Sequence, residues 1–183
     1  MLAIRFHPAR AAVLIAAVII SGAAALVVAP AAHAAISSTT CAGSSVITYQ
    51  PGLTNTAQTV TYTETDTFSP CLSTDITLNS GTSAVTISLP DASCLAAPSL
   101  TTDTPYEIDW NNGSASEISL SFTDAVAEGI EQVTGVGTVT SGKFVGAAVT
   151  IVWAYVVPDP LQCLTPQGVT TQVGTITAQI IGT

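Results

Sequence analysis

The chain has 183 residues, of which 8% are charged, with twelve acidic side chains against three lysines and arginines and a formal charge of −9. An acidic surface of that kind repels phosphate backbones and anionic lipid, so nucleic acid is excluded as a partner. Four cysteines and two histidines are the only thiol and imidazole groups available for metal or nucleophile chemistry.

Arg5 and Arg10 flank the start of an apolar run, Ala11 to Val28, that is broken by Ser21-Gly22 and ended by Pro30. Ala32-His33-Ala34 then supplies the small residues of a cleavage site, so residues 1–34 are expected to be a cleaved secretory signal peptide. An uncleaved anchor is the alternative, because the run is nearly long enough to span a bilayer. Cutting after Ala34 leaves residues 35–183 as a single domain of 149 residues. It also removes both arginines and both histidines, leaving Lys143 alone against twelve acids and a formal charge of −11. The expected product is secreted and extracellular, and after cleavage no membrane contact is expected. Its partner would be an extracellular protein, a glycan or a small molecule.

Cys41, Cys71, Cys94 and Cys163 are an even set in an exported chain, which predicts two disulfides. No two of them form a C-x-x-C pair, so neither a redox motif nor a metal site is expected. Of the three possible pairings, Cys41–Cys71 with Cys94–Cys163 is favoured, since consecutive β segments usually lie side by side.

After the leader, the chain is rich in Thr, Ser, Val, Ile and Gly, a usage that favours strands. Gln50-Pro51-Gly52-Leu53 has the residues of a type II turn. Period-two alternation marks strands at Val60-Thr61-Tyr62-Thr63, Val85 to Leu89 and Ile118 to Phe122. Asn79-Ser80-Gly81 separates an Ile76–Leu78 strand from the next. In Asp109-Trp110-Asn111-Asn112-Gly113, a two-residue turn would set apolar side chains against acidic ones. A three-residue loop, Asn111 to Gly113, instead puts Tyr106 opposite Ile118 and Gly113 at the left-handed position of a bulge. Turns near Glu128-Gly129 and Ser141-Gly142 extend an antiparallel meander to Val157. Asp124 to Gln132 as a short helix is the minor reading, because Gly129 interrupts it. Val149 to Val157 reads as a central strand covered on both faces. The expected fold is all-β, an antiparallel two-sheet sandwich (immunoglobulin-like or related) of roughly eight or nine strands with two disulfides.

Gly137 to Lys143 matches the glycine-lysine part of a phosphate-binding loop. Phe144 stands where Ser or Thr is needed, and a strand follows where a helix should, so this is a hairpin. Asp109, Asn111 and Gly113 resemble a calcium loop with its glycine one position early and Leu120 in place of the closing Glu. Without histidine, the usual hydrolytic triads are closed. Carboxylates remain: Glu107 and Glu117 face each other in the chosen register with Asp109 beside them, an acidic patch on the solvent side. No catalytic residue, cofactor or metal is assigned.

Cys41-Ala42-Gly43, Tyr49-Gln50-Pro51-Gly52-Leu53, Ile108 to Gly113, Gly137 to Phe144 and Leu161-Gln162-Cys163-Leu164 together resemble an uncharacterised family of small secreted four-cysteine actinobacterial proteins. The resemblance implies export and a four-cysteine architecture, and transfers no functional residue. A looser likeness is to the neocarzinostatin-type apoproteins, acidic secreted sandwiches that carry an apolar chromophore, although those staple shorter loops. The function expected is a non-catalytic extracellular binding or structural module. The alternatives are a small-ligand carrier with an apolar cleft and a hydrolase built on Glu107 and Glu117.

Overall fold

The computed structural model describes residues 37–95 and 105–182. The expected signal peptide lies outside the described residues. Eight strands follow one another along the chain: β1 (Ser38–Leu53), β2 (Gln58–Ser73), β3 (Gly81–Ala92), β4 (Tyr106–Trp110), β5 (Ala115–Ala127), β6 (Ile130–Gly142), β7 (Ala148–Val156) and β8 (Val169–Ile181). Each is antiparallel to the next, and β1 also pairs with β8 from Ser38–Ile181 to Leu53–Val169. The sheet therefore closes into one eight-stranded up-and-down barrel.

The all-β class and the antiparallel order agree with the sequence, but the two-sheet sandwich is wrong. Strand length is the physical reason. Local alternation marks runs of four or five residues, whereas β1 and β2 each extend for 16. Long strands carry the right-handed twist far enough for the last to meet the first, and closure removes both exposed edges. Two glycines permit the curvature. At Gly43, beside the bulge in β1, a Cβ would collide with the Thr67 carbonyl oxygen, and at Gly137 in β6 with that of Ser119. Only a residue without a side chain lets the neighbouring backbone approach so closely.

Several local expectations change with the topology. Gln50 to Leu53 forms no turn: β1 runs through it, and the reversal comes at 54–57. Ile76 to Leu78 lies in the loop between β2 and β3, with Ile76 exposed and Leu78 buried. Asp124 to Gln132 is no helix but the end of β5, a two-residue turn at Glu128-Gly129 and the start of β6. In β7, Val149, Ile151, Trp153 and Tyr155 are buried, while Thr150, Val152 and Ala154 are half-buried and Val156 is exposed, so one face is covered rather than two. The β4–β5 hairpin takes the three-residue loop, with Tyr106 opposite Ile118 and Gly113 at φ 82°.

The loops after β2, β4 and β6 gather at one end of the barrel, and the core seals it. Phe68, Ile108 and Ile118 fill the interior there, and the Trp110 and Phe144 rings meet edge to face at 6.0 Å. Asn111 clamps this end, accepting from the Asn79 and Ser80 amides and donating to the Thr77 carbonyl. Lys143 pairs with Asp75 at 2.5 Å. The loops after β1, β5 and β7, with Ser93 to Leu95 after β3, surround the opposite end, which is open among the described residues.

Both disulfides join the expected partners. Cys41–Cys71 links paired residues of β1 and β2 with their Cα atoms 4.1 Å apart. Cys94–Cys163, at 6.1 Å, ties the loop after β3 to the one after β7, across the open end.

Candidate ligand-binding site

Alternation along β2 sorts its side chains without exception from Val60 to Phe68. Val60, Tyr62, Glu64, Asp66 and Phe68 point inward and are buried, while Thr61, Thr65 and Thr67 are exposed. Two carboxyl groups therefore stand one above the other inside the barrel. Glu64 is 6% exposed and Asp66 1%. The parity was visible in the sequence, but ending the strand at Thr63 hid both acids.

Above Asp66 the interior opens into a cavity of about 530 Å³ that reaches the open end. Ile47, Leu53 and Val133 give it apolar walls, and Tyr49, Tyr62, Trp153 and Tyr155 give it aromatic ones. Glu64, Glu131 and Gln172 are its polar groups among the barrel strands. The rim is apolar as well: Leu95, Val126 and Leu164 are exposed there, with Pro158 and Pro160 beside them.

All four tyrosines of the chain have their hydroxyls inside the barrel, and each is committed to a polar partner. Tyr62 donates to Glu64 Oε2, and Tyr106 donates to Asp66 Oδ2 at 2.5 Å. Tyr49 donates to Gln172 Oε1, and the Tyr155 and Ser45 hydroxyls share a bond of 2.7 Å. The Trp153 indole N–H also donates to Asp66 Oδ2, at 3.3 Å. Asp66 Oδ1 and the Ser83 hydroxyl, on residues paired across β2 and β3, have no hydrogen-bond partner among the described residues.

These surroundings divide the two acids. Burial, reinforced by the Asp66 charge, pushes Glu64 up to about 8, so it holds its proton through neutral pH. Burial raises Asp66 too, but the Ser45, Tyr106 and Trp153 donors oppose it. Asp66 therefore moves in the same direction as Glu64, against more hydrogen-bond donors. Burial raises Glu131 as well, with Asp124 adding to it. The phenols rise for the same first reason and stay neutral at any physiological pH.

The acidic patch read from the sequence lies elsewhere. Glu107 and Glu117 are cross-strand partners as expected, but they, like Asp109, are exposed on the outer wall and line no part of the cavity. Glu117 accepts a bond from the Ser141 hydroxyl at 2.8 Å. Ser141-Gly142, expected as a turn, ends β6, and the β6–β7 turn begins one residue later at Lys143 and runs over 143–147; among the described residues no three metal-ligating side chains cluster. Comparison with protein families, with curated proteins and with solved structures gives no match for this chain.

Proposed function

We propose that this protein is an exported, non-catalytic binding protein that carries a small, largely apolar molecule in the open end of its barrel. The observation that carries this reading is the cavity of about 530 Å³, apolar and aromatic in its walls with a few convergent polar groups. Small-molecule sites have that size and that lining, and eight-stranded barrels commonly hold one ligand in their mouths. Two disulfides fit an oxidising compartment, and among the described residues no helix is long and apolar enough to cross a membrane. Native mass spectrometry of the protein purified from culture medium, before and after exposure to culture extract, tests the reading. A non-covalent adduct released on denaturation supports it. The bare chain in both samples counts against it.

The carboxyl pair favours a second reading, acid–base catalysis on the bound molecule. A proton-bearing Glu64 two residues from an Asp66 that accepts from Tyr106 and Trp153 puts two differently surrounded carboxyl groups in one interior, the arrangement such chemistry uses. Recovery of a chemically altered ligand from wild type, but not from Glu64→Gln, would favour it over simple carriage.

A further inference from the structure

We propose that the molecule bound in this cavity is a cationic amphiphile, its protonated amine seated on Glu64 within the ring of Tyr49, Tyr62, Trp153 and Tyr155 and its apolar body directed toward the rim. The inference rests on the carrier reading and narrows it to one ligand class.

Three independent observations point to a cation. The first is the missing countercharge. Glu64, Asp66 and Glu131 project into one interior, yet among the described residues the only cationic side chain is Lys143, already paired with Asp75 at the sealed end. An ammonium group supplies the charge that the fold leaves out, and an anionic head is repelled by each of these carboxyl groups that is ionised.

The second is the commitment of the donors. The Tyr49, Tyr62 and Tyr155 hydroxyls are spent on Gln172, Glu64 and Ser45. The carboxyl groups of Glu64 and Glu131 accept once ionised, beside the amides of Asn55 and Gln172 and the Ser93 hydroxyl in the same lining. A donating ligand head matches these two carboxyl groups in their ionised form.

The third is the aromatic enclosure. Tyr49 and Tyr62 meet edge to face with centroids 5.8 Å apart, and Trp153 and Tyr155 line the same cavity from β7. Ring faces around a carboxylate are the usual setting for a desolvated ammonium.

Proton balance follows from the groups facing Glu64. These are Tyr62 and Asp66 on β2, Tyr49 on β1, Tyr106 on β4, Glu131 on β6, Trp153 and Tyr155 on β7 and the uncharged Gln172 on β8. The tyrosines remain neutral, so Glu64 is the group that yields. Seating an ammonium ion on it expels the proton it holds at pH 7 to solvent. Affinity for the amine accordingly rises from pH 6 to pH 8.

Calorimetric titration of the purified protein with octylamine, 1-octanol and octanoate at pH 7, in two buffers of different ionisation enthalpy, tests this. The expected result is octylamine bound at least tenfold more tightly than octanol, with proton release, and octanoate not bound. In Glu64→Gln, shown to be folded by a cooperative thermal melt, the preference for octylamine over octanol collapses, and a retained preference overturns the seat on Glu64. Equal affinity for octylamine and octanol, or preference for octanoate, overturns the amine assignment and leaves the carrier reading standing. Binding of none of the three, together with failure to take up a neutral apolar dye, overturns the carrier reading itself.

Discussion

Glu64 and Asp66 stand two residues apart on the inner face of β2, both buried, and among the described residues neither meets a cation. The pair makes stability depend on pH in a definite direction. Glu64 titrates near 4.5 when exposed and near 8 in the fold, so between those values the folded protein holds a proton that the unfolded chain has released. Its contribution is full below about pH 4.5 and is lost as pH rises through 8, and Asp66 acts in the same direction. Asp75, lowered to about 2 by Lys143, acts only when pH falls below the ordinary carboxyl range. Thermal melts should show Tm falling from pH 4.5 to pH 8, and Glu64→Gln should flatten the slope. At pH 8 the variant gains on the order of 2 kcal/mol. A wild-type Tm that climbs across this window contradicts the assignment.

Asp66 matters to stability through the two donors it satisfies. Replacing it with Ala leaves the Tyr106 hydroxyl and the Trp153 N–H unpaired in the interior, at a cost of about 2–4 kcal/mol. Asp66→Asn keeps an acceptor for both donors, so it costs under about 1 kcal/mol. Urea unfolding of the two variants should separate them clearly, and equal losses would contradict the hydrogen-bond account.

The two disulfides should have separable effects. Loops of 30 and 69 residues give each a loop-entropy contribution of about 3.5–4.5 kcal/mol. Cys41–Cys71 joins neighbouring strands, whereas Cys94–Cys163 also positions the loops around the cavity. Replacing Cys94 and Cys163 with Ser is expected to lower Tm and weaken uptake of an apolar dye. The Cys41/Cys71 double variant lowers Tm but, measured well below that Tm, binds the dye like wild type.

The outer glutamates carry the opposite expectation. Glu107 and Glu117 oppose each other on the exposed wall, so changing both to Gln relieves repulsion and adds a few tenths of a kcal/mol. Dye binding stays unchanged. A loss of binding in this variant would place the site on the outer wall and not in the barrel.

Turn chemistry and parity made the β4–β5 hairpin legible down to its register, because Asn111 to Gly113 and the apolar face of Tyr106 and Ile118 agree. The disulfide partners followed from chain order for a similar reason. Closure was not legible: it depends on Ser38 meeting Ile181, a contact that no local pattern encodes. The site was half legible. Val60, Tyr62, Glu64, Asp66 and Phe68 share one parity, but two acids in succession argue against a buried strand by propensity. What makes them tolerable comes from elsewhere in the chain: Tyr106 on β4, Trp153 on β7 and an interior wide enough to hold a cavity.

The most direct test of the central claim is fluorescence energy transfer from tryptophan to the neutral dye Nile red, in the wild type and in Val133→Trp, which fills the cavity, and Trp153→Phe, which removes the donor lining it. The account predicts saturable binding of one dye per wild-type chain, transfer greatly reduced in Trp153→Phe, and no uptake by folded Val133→Trp. Absence of saturable binding to the wild type, or undiminished binding with the cavity filled, would contradict it.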